Sequence, residues 1–365
     1  MNVQADVCIV GCGPAGAFLG YLLAKKGIST VLIERSSGKN REFRGEHINA
    51  ETEFLLKEHK LFEKIEEQGI LKMSKVEFFA GKQLVKTITP SLNEDHVGIH
   101  VPQSHLLKTV VQESKHYKNY RLLLNTTVTE LVQDEKGFYT GVRANQDGKE
   151  FIIKCSIIVG ADGRFSTVRK LANLPVKIMN HGYDVLWTKI PAPFGWEPTT
   201  RMLLVNGHQL ALFTQTGGFI QIGWNIKDGS FAALKKEPFL SFLEPLIETL
   251  PELKEIALKH LHSWNNFVCL NVHSSHCETW VKDGLVIIGD AAHTMTPTGA
   301  IGINCAMKDA HVLAPTLIKA LDEKNSSAER LSIFEESRRA EIEKQQEMQI
   351  EEEKTFSENF VQHAL

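Results

Sequence analysis

Three short stretches hold the residues whose types and spacing suggest chemistry. The first is GCGPAG, in which Gly11, Gly13 and Gly16 form G-x-G-x-x-G. That spacing suits a dinucleotide phosphate: Gly11 permits a tight turn, Gly13 lets backbone approach a pyrophosphate, and Gly16 lets helix and strand pack closely. A helix opening at Ala15 would offer free N–H groups and a positive dipole end to the phosphates. Glu34 stands about 20 residues on, where an acidic side chain accepts from a ribose hydroxyl. A glycine-rich turn without a ligand is the competing reading, and the motif alone does not separate FAD from NAD.

The second stretch is VGADGRFSTVR, Val159–Arg169, and the third is LVIIGDAAHTMTPTGAIGIN, Leu285–Asn304. Asp290 ends an apolar run at the carboxyl edge of a sheet, where α/β proteins bind ligands; a helix N-cap is the bland alternative. Pro297, Gly299 and Gly302 make a loop with no bulky side chains, which lets backbone approach a flat ring. A helix from Gly302 through Ile303 and Asn304 would aim its N–H groups at a group that gains negative charge. His293 reads as part of the turn. His273, His276 and Cys277 lack a second ligand pair at zinc spacing, so no metal is expected and the segment reads as an ordinary loop.

In order and separation, the three stretches resemble the signatures of the FAD-dependent aromatic hydroxylases, the group A flavoprotein monooxygenases of p-hydroxybenzoate hydroxylase type. The resemblance covers about 1–175 and 275–320. It implies FAD, held by Gly11, Gly13, Pro14, Ala15, Gly16, Glu34, Gly289, Asp290, Gly302, Ile303 and Asn304, with Asp290 on the ribityl chain. It further implies Arg44 of FRGE at the pyrophosphate, Arg35 along the adenine, Gln103 on the flavin side, and Asp162 with Gly163 both supporting FAD and meeting the reductant. Arg169 reads equally well as an ion-pair partner of Asp162. The implied reaction is hydroxylation of an aromatic or polyketide-like small molecule by way of a flavin C4a-hydroperoxide, with O2 as co-substrate and NADH or NADPH as transient reductant. The chemistry is centred on the flavin, so no catalytic side chain is assigned. Three departures stand out: Ile301 replaces a more usual polar residue, the middle region lacks a tyrosine pattern, and no extra C-terminal domain follows. A flavin reductase or halogenase on the same fold, or a non-catalytic FAD-binding protein, are the alternatives; the W-x-W-x-I-P halogenase signature is absent.

The elements that must position these residues follow from hydrophobic periodicity. Ala5–Val10 and Thr30–Glu34 are short apolar strands around a helix, Ala15–Lys26, closed by Gly27: a βαβ unit with a parallel sheet. Helices are expected near Ala50–His59 and Ser104–Lys115. From about 176 strand-like runs dominate, and helix returns over Phe239–His260. A long helix is expected from Ala300 towards Lys319, and another from a capping box of Ser326 and Glu329. Its tail, Glu341–Lys354, reads as a solvated face. The fold class is therefore α/β: a Rossmann-type FAD-binding domain over 1–175 and 275–365, carrying C-terminal helices, with an inserted substrate-side β-sheet over 176–274. In Phe219–Ile226 residues alternate between two faces. Gln221 and Asn225 are candidates to orient a polar substrate and Trp224 to stack on it, but periodicity does not say which face is inward. His208 is an acid/base candidate or a plain loop histidine.

Bulk properties are consistent with this picture. The 365 residues carry a net charge of -3, so no basic surface advertises nucleic acid. Val7–Ala24 is apolar, but its glycines and the trailing Lys25 and Lys26 argue against a signal peptide. No other run approaches a membrane span. Six scattered cysteines suggest a reduced, cytoplasmic protein. The oligomeric state is left open.

Overall fold

Val7–Val10 (VCIV) is buried on both faces, which is why it occupies the middle of a parallel sheet and not an edge. In a computed structural model, which describes residues 2–37, 46–92 and 94–356, six strands lie in the order Val281–Lys282, Leu285–Ile287, Ile157–Gly160, Val7–Val10, Thr30–Ile33 and Tyr120–Leu123. All pair in parallel except the outermost hairpin of Val281–Lys282 with Leu285–Ile287. The chain leaves Val7–Val10 towards Thr30–Ile33 on one side and later fills the other side with Ile157–Gly160 and Leu285–Ile287. The strand order therefore reverses beside Gly11, the position where doubly wound sheets form a ligand crevice.

Helix Pro14–Lys25 is buried from Ala15 to Ala24. It is apolar all round because the sheet lies on one side and helices Gln103–Ser114 and Gly302–Asp322 on others. Helix Ala50–Glu58 is capped by Asn49, whose side chain accepts from Thr52 N.

A second sheet has eight strands in the order His293–Thr294, Val268–Cys277, Val176–Pro191, Phe219–Lys227, His208–Gln215, Thr199–Val205, Lys75–Ala80 and Gln83–Ile88. It is wider than the 176–274 stretch, because the hairpin 75–88 adds its edge through a parallel pairing of Lys75–Ala80 with Thr199–Val205. His273, His276 and Cys277, read as loop residues, lie in a strand. One face of the sheet carries Ile220, Ile222, Trp224 and Ile226 into a core closed by Leu243 and Leu246 of helix Phe239–Thr249. The expected helical stretch 239–260 is in fact two helices, the second being Lys254–His260.

Helix Gly302–Asp322 and the C-terminal helix Ala328–Thr355 pack on each other. The latter is capped by Ser327, which accepts from Arg330 N, and not by Ser326. The Ser326 carbonyl is held by Gly284 N at 2.7 Å, and the helix starts one residue later than the capping-box pattern suggested.

Candidate active site

Backbone bonds carry the parallel ladder one residue past the strand ends. Gly11 N donates to Ile33 O at 2.8 Å, Ala161 N to Val10 O at 2.8 Å, and Ile288 N to Gly160 O at 2.9 Å. The three motifs thus emerge side by side from adjacent strands. Gly11 has φ +106°, and a Cβ there would lie 2.7 Å from Asp162 Cα. A Cβ on Gly16 would overlap the Gly11 carbonyl oxygen, so Gly16 serves helix packing. Gly13 differs: among the described residues, nothing lies within 4 Å of where its Cβ would be. Among the described residues, no side chain caps the helix that starts at Pro14. An open cradle in front of uncapped N–H groups fits a diphosphate.

Glu34 is buried at the same edge. Its carboxylate accepts from Cys12 N (3.0 Å), Ser36 N (2.9 Å) and Ser36 Oγ (2.7 Å), bracing the glycine turn against the second strand. Arg35 is exposed. Arg44 lies outside the described residues.

Asp162 turns its carboxylate into the short helix Thr167–Leu171, accepting from Ser166 Oγ, Thr167 N (2.6 Å) and Val168 N (3.1 Å). Burial pushes its carboxyl above the usual range, partly offset by these bonds. Arg169 is not its ion-pair partner. The Arg169 guanidinium is drawn instead to the carbonyls of Ala291 (2.9 Å) and Arg164 (2.8 Å), where it ties the second motif to the third.

Asp290 sits in the turn Gly289–Ala291 directly after strand Leu285–Ile287. The long helix begins only at Gly302, so Asp290 is not its N-cap. Gly289 adopts φ +58° and its N–H donates to Asp309 at 2.9 Å. His293 is structural, its Nε2 lying 2.6 Å from Asp309. Asp309 and Arg338 were missed by the sequence reading. The available signal was a charged residue among the otherwise buried Ala306, Met307, Ala310 and Leu313.

The loop after Pro297 bends through two successive left-handed residues, Gly299 (φ +69°) and Ala300 (φ +53°), before Ile301 and the helix from Gly302. Among the described residues, that helix also has no side-chain cap. Ile303 is buried. The Asn304 side chain braces protein: Nδ2 donates to His47 O (3.1 Å) and Ala300 O (3.2 Å), and Oδ1 accepts from Asn49 N (3.1 Å).

On the sheet, Trp224 stacks on Phe242 with ring centroids 4.2 Å apart, inside the second core. It is therefore removed from the substrate candidates. Register puts Gln221, Gly223 and Asn225 on the opposite face. His208 shares the Trp224 side, its ring edge-on to the indole at 6.3 Å. Asn225 Nδ2 donates to Gln209 Oε1 at 2.9 Å. Gln221 Oε1 accepts from Gln215 Nε2, which also reaches Glu46 at 3.4 Å. Glu46 in turn meets His100 Nε2 (3.0 Å) and accepts from Gln103 N (3.2 Å). A continuous polar chain therefore links the Gln221 face to Gln103. Beside it lie two aromatic rings overlooked in the sequence, Trp187 and Phe213, half-buried and 6.2 Å apart. Gly223 makes room for Trp187: a Cβ there would be 2.6 Å from the indole Cζ3.

The Glu- and Gln-rich tail of the C-terminal helix is not simply a solvated face. Gln346, Gln349 and Glu353 bond to Thr294, Thr296 and Thr298 of the loop after Asp290. His276 contacts Arg339, and Cys277 Sγ lies 3.6 Å from Ala291 O, so the His273–Cys277 segment is engaged with protein. Glu58, His59 and His311 do cluster, with the two imidazoles 3.4 Å apart at their facing nitrogens.

Comparison with known proteins decides the family. The FAD binding domain family profile matches residues 4–348. The 6-methylpretetramide 4-monooxygenase of Streptomyces rimosus is 31% identical over 358 residues, 96% of this chain and 84% of that one. The chain belongs to the FAD-dependent aromatic hydroxylase family. A digeranylgeranylglycerophospholipid reductase of Methanococcus vannielii is 26% identical over 90% of this chain and 81% of its own length. The fold matches that of PqsL from P. aeruginosa, solved in complex with 2-aminobenzoylacetate: TM-score 0.83, 20% identity, covering 98% of this chain and 99% of that one. The protein is thus an FAD-dependent monooxygenase that needs a small-molecule substrate, O2 and a reductant. Among the described residues, no helix is long and apolar enough to cross a membrane.

Proposed function

We propose that this monooxygenase hydroxylates a flat aromatic or polyketide-like molecule lying on the Gln221 face of the eight-stranded sheet, with NADH or NADPH as a passing reductant. The observation that carries the reading is Trp187, laid across Gly223 beside Phe213 on the one face not sealed by the second core. Half-buried aromatic rings next to a polar chain suit a planar substrate with polar edges. The hydroxylation of 6-methylpretetramide implied by the name of the Streptomyces relative points the same way.

FAD supplies the hydride acceptance and oxygen activation when bound. The chain's own residues divide the remaining work. The uncapped turn at Gly13–Gly16 takes the diphosphate, Glu34 a ribose hydroxyl and Asp290 the ribityl chain. The start of helix Gly302–Asp322 favours negative charge at the pyrimidine end. Trp187 and Phe213 exclude water from the substrate, while Gln221, through Gln215 and Glu46, orients a polar edge. Asp162 and Arg44 are assigned to docking of the reductant. Six free cysteines fit a cytoplasmic location.

The test is NAD(P)H consumption by FAD-loaded enzyme across a panel of planar polycyclic phenols. A true substrate stimulates consumption, and Trp187→Ala raises its KM roughly 10-fold from loss of one stacking surface. An unchanged KM with FAD still bound removes Trp187 from the pocket. A reductive reaction like that named for the archaeal relative is the second reading; it predicts product formation without O2.

A further inference from the structure

The C-terminal helix places Gln346, Gln349 and Glu353 on one face, at i, i+3 and i+7. Each grips the segment that leads from Asp290 to Gly302. Gln346 Nε2 donates to Ser275 O (3.0 Å) and Thr294 O (3.1 Å). Gln349 accepts from Thr296 N (3.2 Å) and donates to the carbonyls of Thr296 (3.0 Å) and Thr298. Glu353 Oε1 accepts from Thr296 Oγ1 (2.8 Å), Thr298 Oγ1 (2.7 Å) and Tyr183 Oη (2.9 Å), and its Oε2 lies 2.6 Å from His181 Nδ1. His181 Nε2 continues to Ser274 Oγ at 2.9 Å.

Docking of a helix needs no such convergence. A carboxylate is acceptor-only, and this one collects three hydroxyls and an imidazole. Those donors come from different elements: Tyr183 and His181 from the long strand of the substrate sheet, Thr296 and Thr298 from the loop. Glu353 is thus the point where sheet, loop and C-terminal helix meet. Immediately beyond it the loop takes two left-handed residues, Gly299 and the non-glycine Ala300, a bend that the chain does not favour unaided.

We propose that Glu353 is a positioning residue for the flavin ring: by holding Thr296 and Thr298 against Tyr183, it sets where the Pro297–Gly302 backbone meets the isoalloxazine and so how the ring stands to the substrate sheet. The proposal rests on the reading that this loop lies beside the ring. It gives the Glu-rich C-terminal tail a role in cofactor placement.

The test is FAD titration of the full-length protein, with the visible spectrum of bound flavin recorded alongside. Glu353→Gln is expected to raise the FAD dissociation constant roughly 10-fold, as loss of a charged acceptor in a mostly buried site does, and to shift the flavin bands. Thr298→Val should have a smaller effect in the same direction. The double variant should resemble Glu353→Gln alone, because both changes break one linkage. Glu351→Gln, on the exposed side of the same helix, should match the unaltered protein. A wild-type affinity and spectrum for Glu353→Gln, or effects of Glu353→Gln and Thr298→Val that simply multiply, would overturn the proposal. If Glu353→Gln does not fold, Thr298→Val and Thr296→Val carry the test: unchanged affinity and spectrum in both would overturn it equally. Gly302→Ala separates the two ideas, since its Cβ meets only Met295 Cβ at an ordinary 3.6 Å. A Gly302→Ala protein with altered flavin bands, beside an unaltered Glu353→Gln, defeats the role of Glu353 alone. Unaltered bands in both defeat the placement of the loop as well.

Discussion

His293 Nε2 and Asp309 Oδ2 lie 2.6 Å apart, both sealed from solvent, directly beneath the turn that carries Asp290. The same carboxylate accepts from Gly289 N at 2.9 Å and from Arg338 Nε at 2.9 Å. Burial alone would push the Asp309 carboxyl up, but His293, Arg338 and the Gly289 N–H together hold it below the usual carboxylate range. Its contribution to stability is therefore present above the ordinary carboxylate pKa and is lost as pH falls through the lower folded value.

Asp309→Asn should remove the buried anion shared by His293 and Arg338 Nε, leaving Glu341 to Arg338, at a cost of roughly 3 kcal/mol. It should also weaken FAD binding, because Gly289 loses its anchor. Asp290→Ala separates the two effects: FAD affinity should drop about 10- to 150-fold through a lost charged hydrogen bond, with a smaller loss of stability than Asp309→Asn. Urea unfolding and FAD titration on both variants check the contrast. Equal stability of the two variants would contradict it.

The two later glycines of the first motif should behave in opposite ways. Gly13 has φ -82°, and none of the described residues lies within 4 Å of where a Cβ would go. Gly13→Ala should fold with an unchanged melting temperature and lose most of its FAD affinity. Gly16→Ala drives a methyl into the Gly11 carbonyl and should lower stability before any ligand is added. Thermal melts of apo-protein with and without FAD check this pair. A Gly13→Ala protein that binds FAD normally would mean the phosphates lie elsewhere.

Much of the fold was legible because it rests on local patterns. The apolar runs at 7–10, 30–33, 157–160 and 285–287 and the glycine spacing between them specify a parallel sheet with a ligand edge, and the structure places them there. The face of strand Phe219–Lys227 was not legible, since Ile220, Ile222 and Trp224 alternate with Gln221 and Gly223 in a way that fits either orientation; packing of helix Phe239–Thr249 decides it. The hairpin 75–88 was missed because its parallel partner, Thr199–Val205, lies more than a hundred residues away. Glu353 and Asp309 were hidden for the same reason: a buried charge looks like a surface charge until its distant donors are known.

The sheet faces make a further contrast. Gly223→Ala should displace the Trp187 ring and raise substrate KM while leaving FAD affinity and stability close to normal. Trp224→Ala should remove a buried ring stacked on Phe242 and cost roughly 3–5 kcal/mol, with substrate selectivity unchanged in whatever protein remains folded. Denaturation curves and steady-state kinetics on the two variants check it. A substrate KM that responds to Trp224 and not to Gly223 would place the pocket on the other face.

His47 should make stability fall towards acid pH. Burial, with like-charge repulsion from His100 and His96, pushes its imidazole down to about 4. The unfolded chain titrates near 6.5, so between these values it binds more protons than the folded one, and stability drops as pH falls through that window. From pH 7 to pH 5 the loss from this residue is about 2 kcal/mol. His47→Gln should remove that part of the slope, measured by urea unfolding at the two pH values. An equal slope in the variant would contradict the assignment.

The most direct measurement is oxygen incorporation. FAD-loaded enzyme is supplied with NAD(P)H, isotopically heavy O2 and a compound that stimulates NAD(P)H consumption, and the product is weighed by mass spectrometry. The expected result is a product one oxygen atom heavier than the substrate, with that atom drawn from O2. A product that forms equally well without O2, or that carries no oxygen from it, would contradict monooxygenation at this site.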